Sequence, residues 1–241
     1  MASTSFDTKP VAVITGGSQG LGLALAEALA GAGWALVVDA RRRDRLDAAV
    51  AQVSTRGTVI GVPGDVTDRA HRRALAEAAA DLGPVRLLVN NASTLGASPL
   101  PSLAEIGVDQ LHRIFDVNVV APLALVQELG DQLAPDATVV NITSDAGVEA
   151  YEGWGGYGAS KAALEHASRV LAAERPSLRV LVVDPGDMRT EMHQDAFPGE
   201  DISDRPEPAV SVPGLVALID GDQPSGRYEA RSLEPAAGRQ P

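Results

Sequence analysis

The chain has 241 residues, no cysteine and a formal net charge of −12. That length fits one domain with a sizeable core. The lack of cysteine excludes disulfides and thiolate chemistry, and the charge disfavours nonspecific binding to nucleic acid or anionic lipid.

The N-terminus, Met1 to Lys9, lacks the basic-then-apolar pattern of a signal peptide, and no apolar run reaches the length of a membrane span. The expectation is a cytoplasmic protein with no membrane or nucleic-acid partner. From there, short β-branched runs alternate with longer Ala/Leu-rich stretches. Strands are predicted at 11–15, 35–39, 59–62, 87–90, 138–142 and 179–183, and helices at about 20–32, 44–54, 68–82, 103–133 and 156–174. Strands that are apolar throughout suit a sheet covered on both faces, and their alternation with helices implies parallel crossovers. The fold class is therefore α/β: one Rossmann-type domain over 1–241, its doubly wound parallel sheet having about seven strands, with ligands beyond their carboxyl ends. The segment at about 187–210 carries Pro198, Gly199, Pro206 and Pro208 among acids. It reads as a long loop with a short helix, the form a lid takes. A helix at about 210–219 and a strand at about 226–230 close the sheet, and the tail 232–241 is expected to fray.

The first strand runs into Thr15-Gly16-Gly17-Ser18-Gln19-Gly20-Leu21-Gly22. Glycines permit a tight turn and close approach of a pyrophosphate, whose charge is favoured at a helix N-terminus. The same glycines also suit a turn that only packs a helix on a strand. The second strand ends in Asp39-Ala40-Arg41-Arg42-Arg43. A carboxylate there suits free ribose hydroxyls and a guanidinium suits a 2′-phosphate, whereas a solvated helix start would explain the arginines without a ligand. Further on, Tyr157-Gly-Ala-Ser-Lys161 places Tyr157 and Lys161 on one helical face, and Ser144 follows the strand at 138–142. A free phenol has a pKa of about 10, and a nearby ammonium lowers it, so the pair forms an acid/base unit. Ser144 offers a hydroxyl to a substrate oxygen. An amphipathic tyrosine and an exposed lysine would give the same spacing by chance.

These motifs together resemble the short-chain dehydrogenase/reductase family over nearly the whole chain. Thr15-Gly-x-x-x-Gly20-x-Gly22 is similar to its cofactor motif, Asp65-Val66 to its adenine contact, and Asn90-Asn91-Ala92-Ser93 to its Asn-Asn-Ala-Gly segment. Asn118 in Asp116-Val-Asn118-Val matches the family's catalytic asparagine. Ser144 and Tyr157-x-x-x-Lys161 complete the tetrad, and Pro185-Gly186 with Thr190 resembles the strand end that touches nicotinamide.

The resemblance implies NAD(P)-dependent interconversion of a carbonyl and a secondary alcohol. Tyr157 would exchange the proton. Lys161 would lower its pKa and hold the nicotinamide ribose, Ser144 would bind the substrate oxygen, and Asn118 would position a water. Cofactor contacts would come from Gly16, Ser18, Gln19, Gly20, Leu21, Gly22, Asp65, Val66, Asn91, Ala92, Ser93, Pro185, Gly186, Met188 and Thr190, besides Tyr157 and Lys161. Aligned on Gly22, the family's NAD-selecting acid falls at Ala40 and its NADP-selecting arginine at Arg41. NADP(H) is thus expected, with Arg41 as main contact and Arg42 as helper, while Asp39 keeps NAD(H) open. Ser93 stands where glycine is usual, and Asp145 after Ser144 reads as a turn acid. The resemblance puts substrate contacts at Leu95, Tyr151, Trp154 and Met192, with Met188, His193 and Phe197 nearby, for a hydrophobic carbonyl or alcohol. The same side chains also suit fastening of loops. No His/Asp/Glu spacing suggests a metal. A homodimer or homotetramer through the long helices is implied. A sugar-nucleotide epimerase or dehydratase, and a non-catalytic NADP(H) sensor, are the competing readings.

Overall fold

The computed structural model describes residues 9–233; part of the expected C-terminal tail lies outside the described residues. Seven strands, β1 (Val11–Ile14), β2 (Ala35–Ala40), β3 (Val59–Pro63), β4 (Val85–Asn90), β5 (Leu133–Ile142), β6 (Arg179–Asp184) and β7 (Gly226–Glu229), form one parallel sheet in the order β3-β2-β1-β4-β5-β6-β7. Side chains alternate between its faces. Ala12, Ile14, Leu36, Val89 and Leu181 pack against α1 (Gly20–Gly31), α2 (Arg43–Ser54) and α8 (Val212–Asp220). Val11, Val13, Val37, Leu88 and Val139 pack against α3 (Arg69–Ala80) and α5 (Ala121–Leu129). Both faces are covered, which is why the strands are apolar at consecutive positions. α6 (Gly155–Glu174) lies beside β5 and β6, and α7 (Glu191–Ala196) is the short helix of the expected lid. No described helix is long and apolar enough to cross a membrane.

Two expected boundaries move. The helix read at 103–133 begins only after Gly107 as α4 (Val108–Phe115), passes through a π-helical turn at Asp116–Val120 and continues as α5. A π-turn inserts one residue per turn, which an i, i+3, i+4 pattern cannot reveal. The strand read at 138–142 begins at Leu133, which pairs with Val85. The ladder then breaks, and Leu87 resumes pairing at Thr138. Pro135 falls in the irregular stretch, where its missing N–H costs no ladder bond.

The strand order reverses at β1 and β4, opening a crevice beyond their carboxyl ends. The turn after β1 closes it at short range. A Cβ on Gly22 would collide with Gly16 O and come within 2.7 Å of Asn91 Nδ2, whereas one on Gly31, at the far end of the same helix, meets nothing within 4 Å. Gly22→Ala should therefore destabilise the protein by about 1–3 kcal/mol through overpacking. Gly31→Ala should stabilise it by roughly 0.5–1 kcal/mol. Urea unfolding of the two variants checks the opposite signs.

Candidate active site

The glycine turn is held by the end of β4. Asn91 Nδ2 donates to Thr15 O at 2.9 Å and Gly16 O at 3.1 Å. The amides of Asn91 and Ala92 both donate to Thr15 Oγ1 at 3.0 Å. Gly16 sits at φ +68°, left-handed backbone that favours glycine. Gln19 caps α1 without a side-chain bond, and no acid stands in the first turn. The helix thus presents uncapped amides and a positive dipole end to the crevice.

A cavity of about 380 Å³ follows the carboxyl edge of the sheet. Expected residues Gly16, Ser18, Gln19, Gly20, Leu21, Arg41, Arg42, Asp65, Val66, Asn91, Ala92, Ser93, Pro185, Gly186, Met188 and Thr190 line it, as do Ser144, Tyr157, Lys161, Leu95, Trp154 and Met192. Gly22, Asn118 and Tyr151 do not. Gly22 is a packing residue beneath the turn, and Tyr151 is 46 % exposed with its hydroxyl on Asp145 Oδ2 at 3.0 Å.

At the β2 end, Asp39 is buried: Oδ1 accepts from Gly16 N at 2.7 Å, and Oδ2 lies 2.8 Å from His71 Nε2. Both carboxylate oxygens are thus engaged inside the protein. Arg42 turns to Asp44 at 2.9 Å, while Arg41 is exposed and, among the described residues, makes no ion pair. Arg45 also lines the cavity, pairing with Glu191 at 2.6 Å and bonding Gln19. Sequence reading missed Arg45 and His71. Arg41 lies before α2 and Arg45 within its first turn, so no helical spacing links the two. Burial raises the Asp65 carboxyl, but bonds from the Thr67 amide and hydroxyl, with Arg113 and Arg41, outweigh it and leave the net shift downward.

α6 brings Tyr157 and Lys161 to the opposite end. The Lys161 ammonium donates to Ile142 O at 2.9 Å and lies 5.3 Å from the centre of the Tyr157 ring. The expected lowering of the tyrosine is not what this arrangement gives. Burial pushes the Tyr157 hydroxyl well above the ordinary phenol range. The Ser93 and Ser144 hydroxyls pull it back, and Asp184 and Asp145 push it further up. The Lys161 ammonium sits over the face of the ring. Burial brings its own ammonium down to about 8, against the upward pull of Glu165. Ser93, the departure from the family motif, thus puts its hydroxyl beside the phenol.

Ser144 Oγ donates to Asp145 Oδ1 at 2.8 Å, since an ionised carboxylate only accepts. The same oxygen accepts from Ala146 N at 2.8 Å, the turn role expected of Asp145. Asn118, in the π-turn, is saturated: Oδ1 accepts from Thr94 N at 2.9 Å and Ser93 Oγ at 3.1 Å, while Nδ2 donates to Thr94 O at 3.0 Å and Ser160 Oγ at 2.9 Å. Its side chain anchors the 93–94 segment and has no valence left for the expected water. Beyond Tyr157, the pocket is apolar. Leu95, Ala146 and Tyr157 cluster with Leu100, Trp154, Met192 and Ala196. Trp154 meets Tyr157 edge-on at 5.7 Å and packs on Phe197, at the end of α7, at 6.0 Å. Phe197 itself does not line the cavity, whereas His193 does.

A crevice at the switch point, with an uncapped helix at one end and a buried tyrosine and lysine at the other, is an arrangement of nicotinamide-dependent oxidoreductases of the doubly wound class. A family model for the short chain dehydrogenase matches residues 10–201, and the chain belongs to that short-chain dehydrogenase/reductase family. It is 37 % identical over 186 residues to an uncharacterized oxidoreductase of Methylorubrum extorquens, covering 75 % of this chain and 74 % of that one. It is also 37 % identical over 205 residues to glycine betaine reductase ATRR of Emericella nidulans, a match covering 83 % of this chain but 16 % of that protein's length. A short chain dehydrogenase from Shigella flexneri, solved in complex with NADP, superposes with a TM-score of 0.82 at 26 % identity, covering 92 % of this chain and 97 % of that one.

Of the tyrosines, Tyr157 should ionise last in an alkaline near-ultraviolet titration. Tyr157→Phe should remove that final step and leave the earlier ones in place. A titration whose last step survives the substitution contradicts the burial argument.

Proposed function

We propose that this chain is an NADPH-preferring reductase of ketones or aldehydes, with Tyr157 as proton donor and Ser144 as the hydrogen-bond donor to the substrate oxygen. The observation that carries it is the buried Tyr157 hydroxyl, flanked by Ser93 and Ser144 at the carboxyl edge of the sheet. The residues fit a dinucleotide. The uncapped amides of α1 and the glycine turn would hold the pyrophosphate. Asp65 and Val66 would border the adenine. Ala92, Ser93, Pro185, Gly186, Met188 and Thr190 would border the nicotinamide, and Lys161 with Tyr157 its ribose. When bound, the nicotinamide supplies or accepts the hydride.

NADP(H) is favoured because Asp39, the acid of β2, already engages both oxygens with Gly16 and His71, which holds its carboxylate back from a ribose hydroxyl, whereas Arg41 is unpaired among the described residues. Arg41 is left to meet a 2′-phosphate as a bidentate donor. Arg42 and Arg45 are both held by acids, Asp44 and Glu191, so either would have to leave its partner to help Arg41. The NADP complex of the Shigella flexneri relative supports the same cofactor.

In reduction, Ser144 gives up its bond to Asp145 and donates to the carbonyl oxygen, and Tyr157 passes its proton to that oxygen as charge develops there. The water-poor wall of Leu95, Trp154 and Met192 orients an apolar substrate. Burial keeps Tyr157 protonated at neutral pH, which is the form reduction needs. Alcohol oxidation needs the phenolate, whose population grows as pH rises. Reduction should therefore be fastest at neutral pH and decline as pH passes about 8, where Lys161 loses its proton. Oxidation should gain with pH.

A panel of carbonyl compounds with NADPH tests the reading. Loss of the reduced-nicotinamide absorbance, abolished by Tyr157→Phe, is expected. Tight cofactor binding with no turnover across the panel would favour a sensor instead. Arg41→Ala removes a charged hydrogen bond of about 1.5–3 kcal/mol, so the NADPH-to-NADH preference should fall about tenfold or more; an unchanged ratio counts against Arg41.

We also propose a homo-oligomer. Val108 and Val120 on the α4–α5 helix are 67 % and 51 % exposed, and Val170 on α6 is 41 % exposed. Those are the helices expected to pair. Light scattering should give twice or four times the 24.9 kDa of one chain; only a single-chain mass overturns the proposal.

A further inference from the structure

Behind the Tyr157–Lys161 pair runs an ionic chain that the proposed reaction does not use. Glu165 lies one turn beyond Lys161 on α6, a neighbouring position on the same face, and is 3 % exposed. Its Oε1 accepts from Thr143 Oγ1 at 2.7 Å and from Arg227 Nε at 3.2 Å. Arg227 comes from β7, the edge strand, where it pairs in register with Val182. Its Nη2 lies 3.1 Å from Asp184 Oδ2, and Asp184 Oδ1 accepts from Gly186 N at 2.8 Å. One guanidinium therefore bridges the helix that carries Tyr157 and Lys161 to the turn that borders the nicotinamide end of the cavity.

The charges around Lys161 sharpen the point. Glu165 faces it from α6 and opposes the effect of burial on its ammonium, while Asp184 of β6 and Asp145 of the turn after β5 act on the Tyr157 hydroxyl of the same pair, and Arg227 of β7 reaches both Glu165 and Asp184. Lys161 is 2 % exposed, and its ammonium donates to a neutral carbonyl, Ile142 O. Two carboxylates share the one guanidinium of Arg227, so its charge does not cancel both, and the Glu165 end of the triad is the one that acts on Lys161. A buried ammonium needs such a counter-charge, since an isolated one is strongly disfavoured in a low-dielectric site.

We propose that Glu165 and Arg227 are positioning residues for the reaction at Tyr157: Glu165 is the counter-charge of the Lys161 ammonium, and Arg227 fixes the 184–186 turn against α6. This rests on the proposed function, in which Lys161 and that turn serve the same site. The tests use cofactor-free protein, so they report on the inference whether or not a carbonyl is reduced.

The chain has only two lysines, Lys9 and Lys161, so isotope-labelled lysine gives two NMR signals, with Lys9 as the internal reference. Lys161 should titrate near 8 in the wild type. In Glu165→Gln, which keeps the shape but removes the charge, its proton affinity should fall about tenfold, one pKa unit. Glu165→Asp, carrying the charge one methylene further back, should fall between the two and serves where the glutamine variant does not fold. An unchanged Lys161 titration in a folded charge-removing variant overturns the role of Glu165.

Arg227 is read by hydrogen exchange. In Arg227→Gln the peptide spanning 184–190 should exchange about tenfold or more faster while β1, β4 and β5 keep their protection, and Arg227→Lys should recover part of it. Uniform loss across the sheet, or unchanged exchange at 184–190, overturns the role of Arg227. A wild type that passes both tests yet reduces no carbonyl leaves the inference standing and removes the proposed function alone.

Discussion

Thr15 and Asn91 close the seam between β1 and β4, and the site is built outward from that seam. Parallel strands whose connections lead away to opposite sides leave a gap at the switch point, and the gap has to be fixed by side chains rather than by ladder bonds. Asn91 does this by giving both amide hydrogens to carbonyls of the glycine turn, while Thr15 takes two amides from the other side. The glycines are the counterpart of these bonds. Without a Cβ at Gly16 or Gly22 the two segments come close enough to make them. The result is a fixed turn that leaves the uncapped first amides of α1 at the crevice before any ligand arrives, which spares a bound anion the cost of ordering the backbone.

Along the cavity, burial and charge act in opposite directions at its two ends. At the β2 end the Arg41 guanidinium stays in water, and the acid of β2, Asp39, is buried with both oxygens engaged. At the α6 end, water is largely excluded, and desolvation becomes the largest influence on both Tyr157 and Lys161. It drives each toward its neutral form. For the phenol the neutral form is the proton-loaded one, so burial keeps Tyr157 protonated while making it a weaker acid. For the lysine, burial works against the charge that its proposed role requires. The demand for a nearby carboxylate therefore follows from the same burial that suits the tyrosine.

Much of this was legible in the sequence because it depends on short-range pattern. Six strand runs, the glycine turn and the spacing of Tyr157 to Lys161 are local, and the two-faced burial of the sheet is written in consecutive apolar residues. What was hidden depends on contacts across the chain. Asp39 could be read as a ribose ligand until its partners, 23 residues back at Gly16 and 32 ahead at His71, were seen. Asn118 was read as a site residue, but not that Thr94, Ser93 and Ser160 take its whole side chain, because no spacing links those positions. The π-turn that aims Asn118 inward is one extra residue in a helix, too small a change for a hydrophobic pattern to register. Arg45 was concealed differently: an arginine one residue into an exposed helical run resembles any solvated side chain.

The Glu165–Arg227–Asp184 chain belongs to the hidden class, and its energetics explain why such a feature is retained at a site. Taking three charges out of water costs several kcal/mol per ion before any attraction is counted, and apolar replacements of similar volume are often as stable or more so. Stability is thus a weak reason for it. Geometry is a stronger one. A guanidinium presents a planar fork, so two carboxylates on separate elements are fixed in direction as well as distance. An apolar contact between α6 and the turn at Asp184 would leave both free to slide, because packing forces are non-directional. Where a proton donor on one element must meet a hydride donor held by another, displacements on the order of 1 Å already cost rate. A directional tie between those two elements is what such a requirement selects.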